Sequence, residues 1–220
     1  MDREMLSKRL AAIVRLIDRG SIVCDVGADH GYVSIKLSKD RIADRVYAIE
    51  NKKGPYLQLQ KNIAESRSSA IALFADGLES LPPDVDTVII AGMGARNIIN
   101  ILDKDKDKLV SVKTLVVDSH TDLAMLRERI TLLGFYIADE EMVEDKKKIY
   151  AMIKFKKGIR HYVEEDFIFG PILRVRKDNL YHEFWSDESL RIDALITKKR
   201  IGSKRRNELL ILKERINKNL

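Results

Sequence analysis

The sequence predicts an α/β fold: a parallel sheet covered by helices, closed by an antiparallel hairpin and followed by a helical pair. Three observations carry this. Short runs rich in Val and Ile alternate with helical patterns from Ile22 to Leu133. Two strand-like runs, Phe135–Val143 and Ile149–Phe155, are then separated only by Glu144–Lys148, too short for a crossover helix, so they must pair antiparallel. Beyond Ile159 the pattern becomes helical, with a break at Ile201-Gly202-Ser203.

In chain order, Leu6, Leu10, Ile13, Val14 and Ile17 recur at helical spacing and predict an amphipathic helix over residues 3–18, ended by Arg19-Gly20. Ile22–Val26, Val46–Ile49, Ile71–Ala75, Thr87–Ala91 and Thr114–Val117 read as strands buried on both faces, as in a helix-covered parallel sheet. Pro55–Ser66, Ala95–Leu102 and Thr121–Leu133 read as the crossover helices. Asp187–Lys199 and Lys204–Leu220 form the expected helical pair, with Leu190, Leu195, Ile196, Leu209, Leu212 and Ile216 along its apolar seam. The expected division is a sheet domain over residues 1–158 and a helical domain over 159–220.

Composition narrows the class. A hydrophobic fraction of 45% in 220 residues supports an ordinary globular core. No apolar run approaches the ~18 residues that suggest a membrane span, and the charged N-terminus lacks a signal peptide's apolar stretch. The single cysteine, Cys24, lies inside the first apolar run and reads as a buried small hydrophobe. A cytoplasmic, monomeric protein without a membrane partner is expected. The net charge of +6 is concentrated: Arg191–Leu220 holds ten Lys/Arg against three Asp/Glu, and the other residues hold 30 against 31. Such a block suits a phosphate backbone, and charge alone fits a solvated helical face equally well.

Chemistry gathers at the strand ends. Asp25-x-Gly27-x-x-x-Gly31 follows the first strand, where glycine lets a ligand approach the backbone and the next helix offers unpaired N–H groups. Its spacing differs from the dinucleotide fingerprint G-x-G-x-x-G, and a lone glycine turn is as readily structural. Glu50, 19 residues beyond Gly31, ends the second strand, where an acid can accept both ribose hydroxyls. Asp76-Gly77 follows the third strand, and Ala91-Gly92-Met93-Gly94 ends and follows the fourth. Four such features at the carboxyl edge point to S-adenosylmethionine as cofactor, with candidate contacts at Asp25, Gly27, Ala28, Gly31, Glu50, Asn51, Asp76, Gly77, Ala91 and Gly92. Asp29 and His30 face the reaction centre as candidate catalytic groups. Tyr32, Met93, Gly94, Arg96 and His120 are candidate substrate contacts, as are Lys198, Lys199, Arg200, Lys204, Arg205 and Arg206 in the basic tail. Core packing of the following helix is nearly as good a reading of Tyr32. The histidines and Cys24 show no metal-ligand spacing, so no metal is expected.

The terminal hairpin after five βα units is the arrangement of the Rossmann-like, seven-stranded class I methyltransferases. The GADHGY turn, the AGMG segment, Lys148-Ile149-Tyr150, and Phe169-Gly170-Pro171 followed by Asn179 and Trp185 resemble bacterial tRNA adenine-N1 methyltransferases of the TrmK type. The resemblance implies a methyltransferase sheet with a C-terminal coiled-coil pair, and methyl transfer from S-adenosylmethionine to N1 of a tRNA adenosine. It places Asp25, Gly27, Glu50, Asp76 and Gly77 on the cofactor, and Asp29 and His30 on the base. Two segments depart from that pattern. Ala95-Arg96 follows Gly94 where a further glycine is usual, and Asp118-Ser119-His120 replaces a Gln-Pro-Asn-like segment.

Two other functions fit the same chain less well. A different acceptor, an exocyclic amine or a small molecule, is disfavoured by the missing D/N-P-P-Y segment after the fourth strand and by the basic tail. A non-catalytic RNA-binding protein of this fold would not need Asp25, Gly27, Glu50 and Asp76 together.

Overall fold

The computed structural model describes residues 6–119, 121–198 and 201–220. The elements run α1 (Lys8–Arg15), β1 (Ser21–Val26), α2 (Tyr32–Lys39), β2 (Ala43–Glu50), α3 (Lys53–Ser66), β3 (Ile71–Phe74), β4 (Thr87–Met93), α4 (Ala95–Lys104), β5 (Thr114–Ser119), α5 (Leu123–Leu132), β6 (Phe135–Asp145) and β7 (Lys148–Lys157). Four helices follow: α6 (Glu164–Phe169), α7 (Leu173–Arg176), α8 (Asn179–Ile196) and α9 (Ser203–Asn219).

The seven strands form one sheet in the order β3-β2-β1-β4-β5-β7-β6. The first five are parallel, and β7 inserts antiparallel between β5 and β6, as the short hairpin connection requires. The connection is shorter than expected. The strands extend to Asp145 and Lys148, leaving Lys146 and Lys147 alone in the turn, both with positive φ (51° and 61°). That is the backbone sense that suits a tight hairpin.

Val88, Ile89 and Ile90 in central β4 are all fully buried, and each such side chain contributes on the order of 2 kcal/mol of burial. On one face, Ala12, Ile13 and Val14 of α1 join Val33 and Leu37 of α2, Leu59 and Ile63 of α3, and sheet residues such as Val23, Ile89 and Val116. On the other, α4 and α5 pack together and bury Ile98, Leu102, Leu126 and Ile130. Cys24 is buried as expected, and burial pushes its thiol pKa up, which leaves it unreactive. β3 departs from the expected two-sided burial: Ile71 and Phe74 are exposed, because β3 is the sheet's edge.

The expected first helix is shorter at both ends. Ser7 caps it, accepting from the Leu10 N–H at 3.4 Å, and the helix ends at Arg15, although Leu16 and Ile17 remain buried.

The chain divides into two compact units, Met1–Gly170 and Pro171–Leu220. Helix α6 belongs to the first. Arg127 of α5 pairs with Glu140 of β6 at 2.8 Å, both side chains being essentially inaccessible, and donates to the carbonyls of Phe167 and Ile168. In the second unit, α8 begins at Asn179 rather than the expected Asp187. Asp178 caps it through the Tyr181 N–H, and the aromatic first turns bury Tyr181 and Trp185, a pattern the apolar count overlooks. Leu190 is exposed and leaves the expected seam, while Ile192, Leu209 and Ile216 are buried. Lys213 reaches Asp193 and Arg206 reaches the Ile196 carbonyl, so α8 and α9 run antiparallel. No helix among the described residues is long and apolar enough to cross a membrane.

Candidate active site

The turn after β1 is locked to its neighbours by backbone bonds. The N–H groups of Gly27 and Ala28 both donate to the Ile49 carbonyl at 2.9 Å, and Asn62 donates to the His30 carbonyl at 2.8 Å. Gly27 (φ 72°) favours glycine because its backbone is left-handed; a Cβ there would also meet Met93 Cε, the movable end of a flexible side chain. Gly31 (φ 73°) is also left-handed, but a Cβ there would collide with Leu59 of α3. The space beside Gly31 is therefore filled by α3, and Gly31 is not among the residues that line the cleft described below.

Asp25, at the end of β1, is buried and accepts from Ser34 Oγ at 2.6 Å. Burial pushes its pKa up to about 6, against the lowering effect of the Ser34 hydrogen bonds. Glu50, at the end of β2, is buried and oriented by two backbone donors, Asp29 N–H at 3.3 Å and Lys52 N–H at 2.9 Å. Asp76 is exposed beyond β3. The Asn51 amide (2.9 Å) and the Lys104 ammonium (3.1 Å) hold its carboxyl below the usual range, keeping it an ionised acceptor.

A cleft of about 730 Å³ opens along the carboxyl edge of the strands. It brings together Asp25, Gly27, Ala28, Asp29, His30, Tyr32, Ala91, Gly92 and Met93. Tyr32 is 41% exposed and stacks on His30 at 5.6 Å between ring centroids, so it serves the cleft rather than the core. Asp29 (φ 50°) has an exposed carboxylate 3.6 Å from His30 Nε2. Glu50, Asn51, Asp76 and Gly77 lie outside this lining, on the adjoining β2–β3 rim, and Glu50 joins it to the cleft through the Asp29 N–H. Gly94 and Arg96 are not brought in: Gly94 faces Thr121, and Arg96 is exposed at the start of α4.

Of the basic candidates, Lys198, Lys204 and Arg205 are exposed in the C-terminal unit. Arg206 is engaged in structure, its guanidinium donating to the Ile196 carbonyl at 2.6 Å and so capping the end of α8. His120, Lys199 and Arg200 fall outside the described residues. No group of metal-ligating side chains occurs among the described residues.

Other lining residues are not among the site candidates that the sequence offers. Leu6, Ser7, Arg9 and Leu10 enter from the start of the chain, and Asp145, Lys146 and Tyr150 from the β6–β7 hairpin. The periodicity of α1 marks its buried stripe, whereas Arg9 becomes a site residue only when α1 is docked over β5 and β7.

Comparison with known proteins agrees with this geometry. The chain is 27% identical over 197 residues to the tRNA (adenine(22)-N(1))-methyltransferase of Bacillus subtilis (strain 168), covering 86% of this chain and 83% of that one. A Streptococcus agalactiae protein of the NADB-Rossmann superfamily matches with 31% identity and a TM-score of 0.89, over 100% of this chain and 97% of that one. Streptococcus pneumoniae Sp1610, solved in complex with S-adenosyl-L-methionine, matches with a TM-score of 0.91 and 27% identity over 98% and 100% of the two chains. The methyltransferase-domain model matches residues 6–153, from the residues that enter the cleft ahead of α1 to the middle of the inserted β7. A sheet with this strand order, its polar groups drawn to the carboxyl edge, thus belongs to the methyltransferase domain family.

Proposed function

We propose that this protein methylates N1 of adenosine 22 in tRNA, using S-adenosylmethionine, as the name of its Bacillus subtilis relative states for that protein. The observation that carries the reading is the two-sided cleft. One side has the glycine turn and Asp25, with Glu50 and Asp76 on the adjoining rim, a setting suited to a nucleoside, and the other has Tyr32, Met93 and Tyr150, surfaces on which a second base can lie.

The residues fit the cofactor. Gly27 adds no side chain of its own to the turn beside Met93, Glu50 is pre-oriented to accept ribose hydroxyls, and ionised Asp76 can accept from an adenine amino group. The cofactor supplies an electrophilic methyl group on a positively charged sulfur. The protein's own task is to hold the acceptor. N1 of adenine has an in-plane lone pair, and the ring becomes cationic once N1 carries a methyl group. The Asp29 carboxylate stabilises that charge or accepts from N6, with His30 beside it. N1 is inaccessible in a stacked or paired base, so the nucleotide must turn out into the cleft, with Tyr32 and Met93 as its walls. Much of the rate then comes from holding N1 at attack distance.

Residues 159–220 are proposed as the tRNA-binding domain, gripping phosphates through Lys198, Lys204 and Arg205. The protein acts as a cytoplasmic monomer. The test is incubation with total tRNA and labelled cofactor, followed by nucleoside mass spectrometry and position mapping. N1-methyladenosine at position 22 is expected; label in another nucleoside, or none, defeats the reading. Reversing Lys204 and Arg205 to Glu should weaken tRNA binding about tenfold and flatten its salt dependence, leaving cofactor affinity unchanged.

A further inference from the structure

Arg9 projects from α1 into the cleft, and its position raises an electrostatic question. Its Nη1 stands 3.4 Å from Oδ2 of Asp118, a fully buried side chain at the end of β5. Its guanidinium carbon lies 5.2 Å from the Tyr150 ring centroid. The group also rests against the Gly92 backbone, where a Cβ would come within 3.6 Å of Nη2. Ala91 and Asp118 are register partners across β4 and β5, so this cluster sits on the opposite side of β1 from Glu50 and Asp76. It belongs to the acceptor's side of the cleft.

A lone guanidinium there would oppose methyl transfer, because the adenine ring gains positive charge as it reacts. A neighbouring carboxylate cancels that opposition. The pair is also a poor device for stability alone, since burying two charges costs about what their attraction returns. α1 already docks through Ala12, Ile13 and Val14. What an arginine offers and an apolar side chain does not is a planar fork of five N–H donors, matched to phosphate and fixed here by Tyr150 and Asp118.

We propose that Arg9 is a substrate-positioning residue that binds the phosphate of the acceptor nucleotide, and that Asp118 neutralises it beside the base that becomes cationic. Asp118 falls in one of the two segments where the sequence departs from the pattern of the family it resembles. The inference rests on the adenine-N1 reading above. The two fail separately: wild-type protein that makes no N1-methyladenosine defeats that reading, whereas an active wild type with the wrong variant pattern defeats this inference.

The experiment uses full-length protein and a tRNA transcript, with kcat, KM for tRNA, cofactor Kd and Tm measured for Arg9→Met, Arg9→Lys, Asp118→Asn and the double variant Arg9→Met/Asp118→Asn. Asp118→Asn should lower kcat about tenfold (~1.4 kcal/mol), with cofactor Kd within about twofold, because it removes the buried carboxylate facing the guanidinium and leaves Asp145, at the end of β6, as its remaining acidic neighbour. Arg9→Met should raise KM for tRNA about tenfold, and Arg9→Lys should fall between it and wild type. The double variant should recover kcat to well above that of Asp118→Asn, because removing the arginine removes the repulsion. A purely structural pair gives no such rescue and moves Tm instead. The inference is overturned if Asp118→Asn keeps wild-type kcat, if the double variant is no faster than Asp118→Asn, or if Arg9→Met keeps wild-type KM. Should Asp118→Asn fail to fold, the KM order of wild type, Arg9→Lys and Arg9→Met decides alone.

Discussion

On the β2–β3 side of the cleft, each polar group sits at a strand end and is oriented by groups no more than 28 residues away along the chain: Glu50 by the N–H groups of Lys52 and Asp29, and Asp76 by Asn51 and Lys104. On the β4–β5 side, Arg9, Met93, Asp118 and Tyr150 arrive from four different elements and are fixed by contacts across them. A common cofactor can be held by a local, reusable frame. An acceptor particular to one enzyme needs a surface assembled from distant parts, which is easier to vary without disturbing the frame.

The largest effects should come from breaking the frame. Gly27→Val adds a side chain in left-handed backbone and against Met93 Cε; cofactor affinity should fall about 100-fold by calorimetry. Asp29→Ala probes the other side. Turnover should drop at least about tenfold with cofactor Kd unchanged within about twofold, and an equal loss in both would move Asp29 to the cofactor's side. Asp25, on the strand between the two sides, should show itself through pH. Its folded pKa of about 6 lies above the ordinary 3.8. The folded state therefore holds the proton more tightly, and this contribution to stability is complete below about pH 4 and lost as pH rises through about 6. Asp25→Asn should flatten that decline and raise the Tm of cofactor-free protein at pH 8 by about 4 °C. A decline that persists in the variant assigns the titration elsewhere. The smallest effect should come from Lys104→Met, which removes an exposed partner of Asp76. Because solvent screens the exposed pair, stability should stay close to that of the wild type and cofactor affinity should change by less than about twofold; a larger loss of affinity would mean that Lys104 itself contacts the ligand.

The proposed cofactor side is largely legible in the sequence because strand ends are marked by where apolar runs stop, and a parallel sheet brings those ends to one edge. Asp25, Gly27, Glu50 and Asp76 could be placed without knowing how any helix docks. Gly31 shows the limit of that reasoning: a glycine in the same motif proved to be shaped by Leu59, a packing partner 28 residues away. Tyr32 could equally have faced core or cleft, since one residue of rotation at the helix start decides between them. The aliphatic pattern places the start of α8 eight residues too late because Tyr181 and Trp185, at i and i+4, bury an aromatic face that an aliphatic count does not register.

Taken alone, the chain determined the alternation of strands and helices, the antiparallel closure by a short hairpin, the carboxyl-edge cofactor frame and the basic tail, because each depends on local pattern or connection length. The tertiary structure alone decided that Arg9 meets Asp118 and Tyr150, that Arg127 and Glu140 hold α6 to the sheet unit, and that Arg206 caps a helix. These are contacts between residues ten to 141 positions apart, and the charge of a side chain does not specify which distant partner the packing will bring to it.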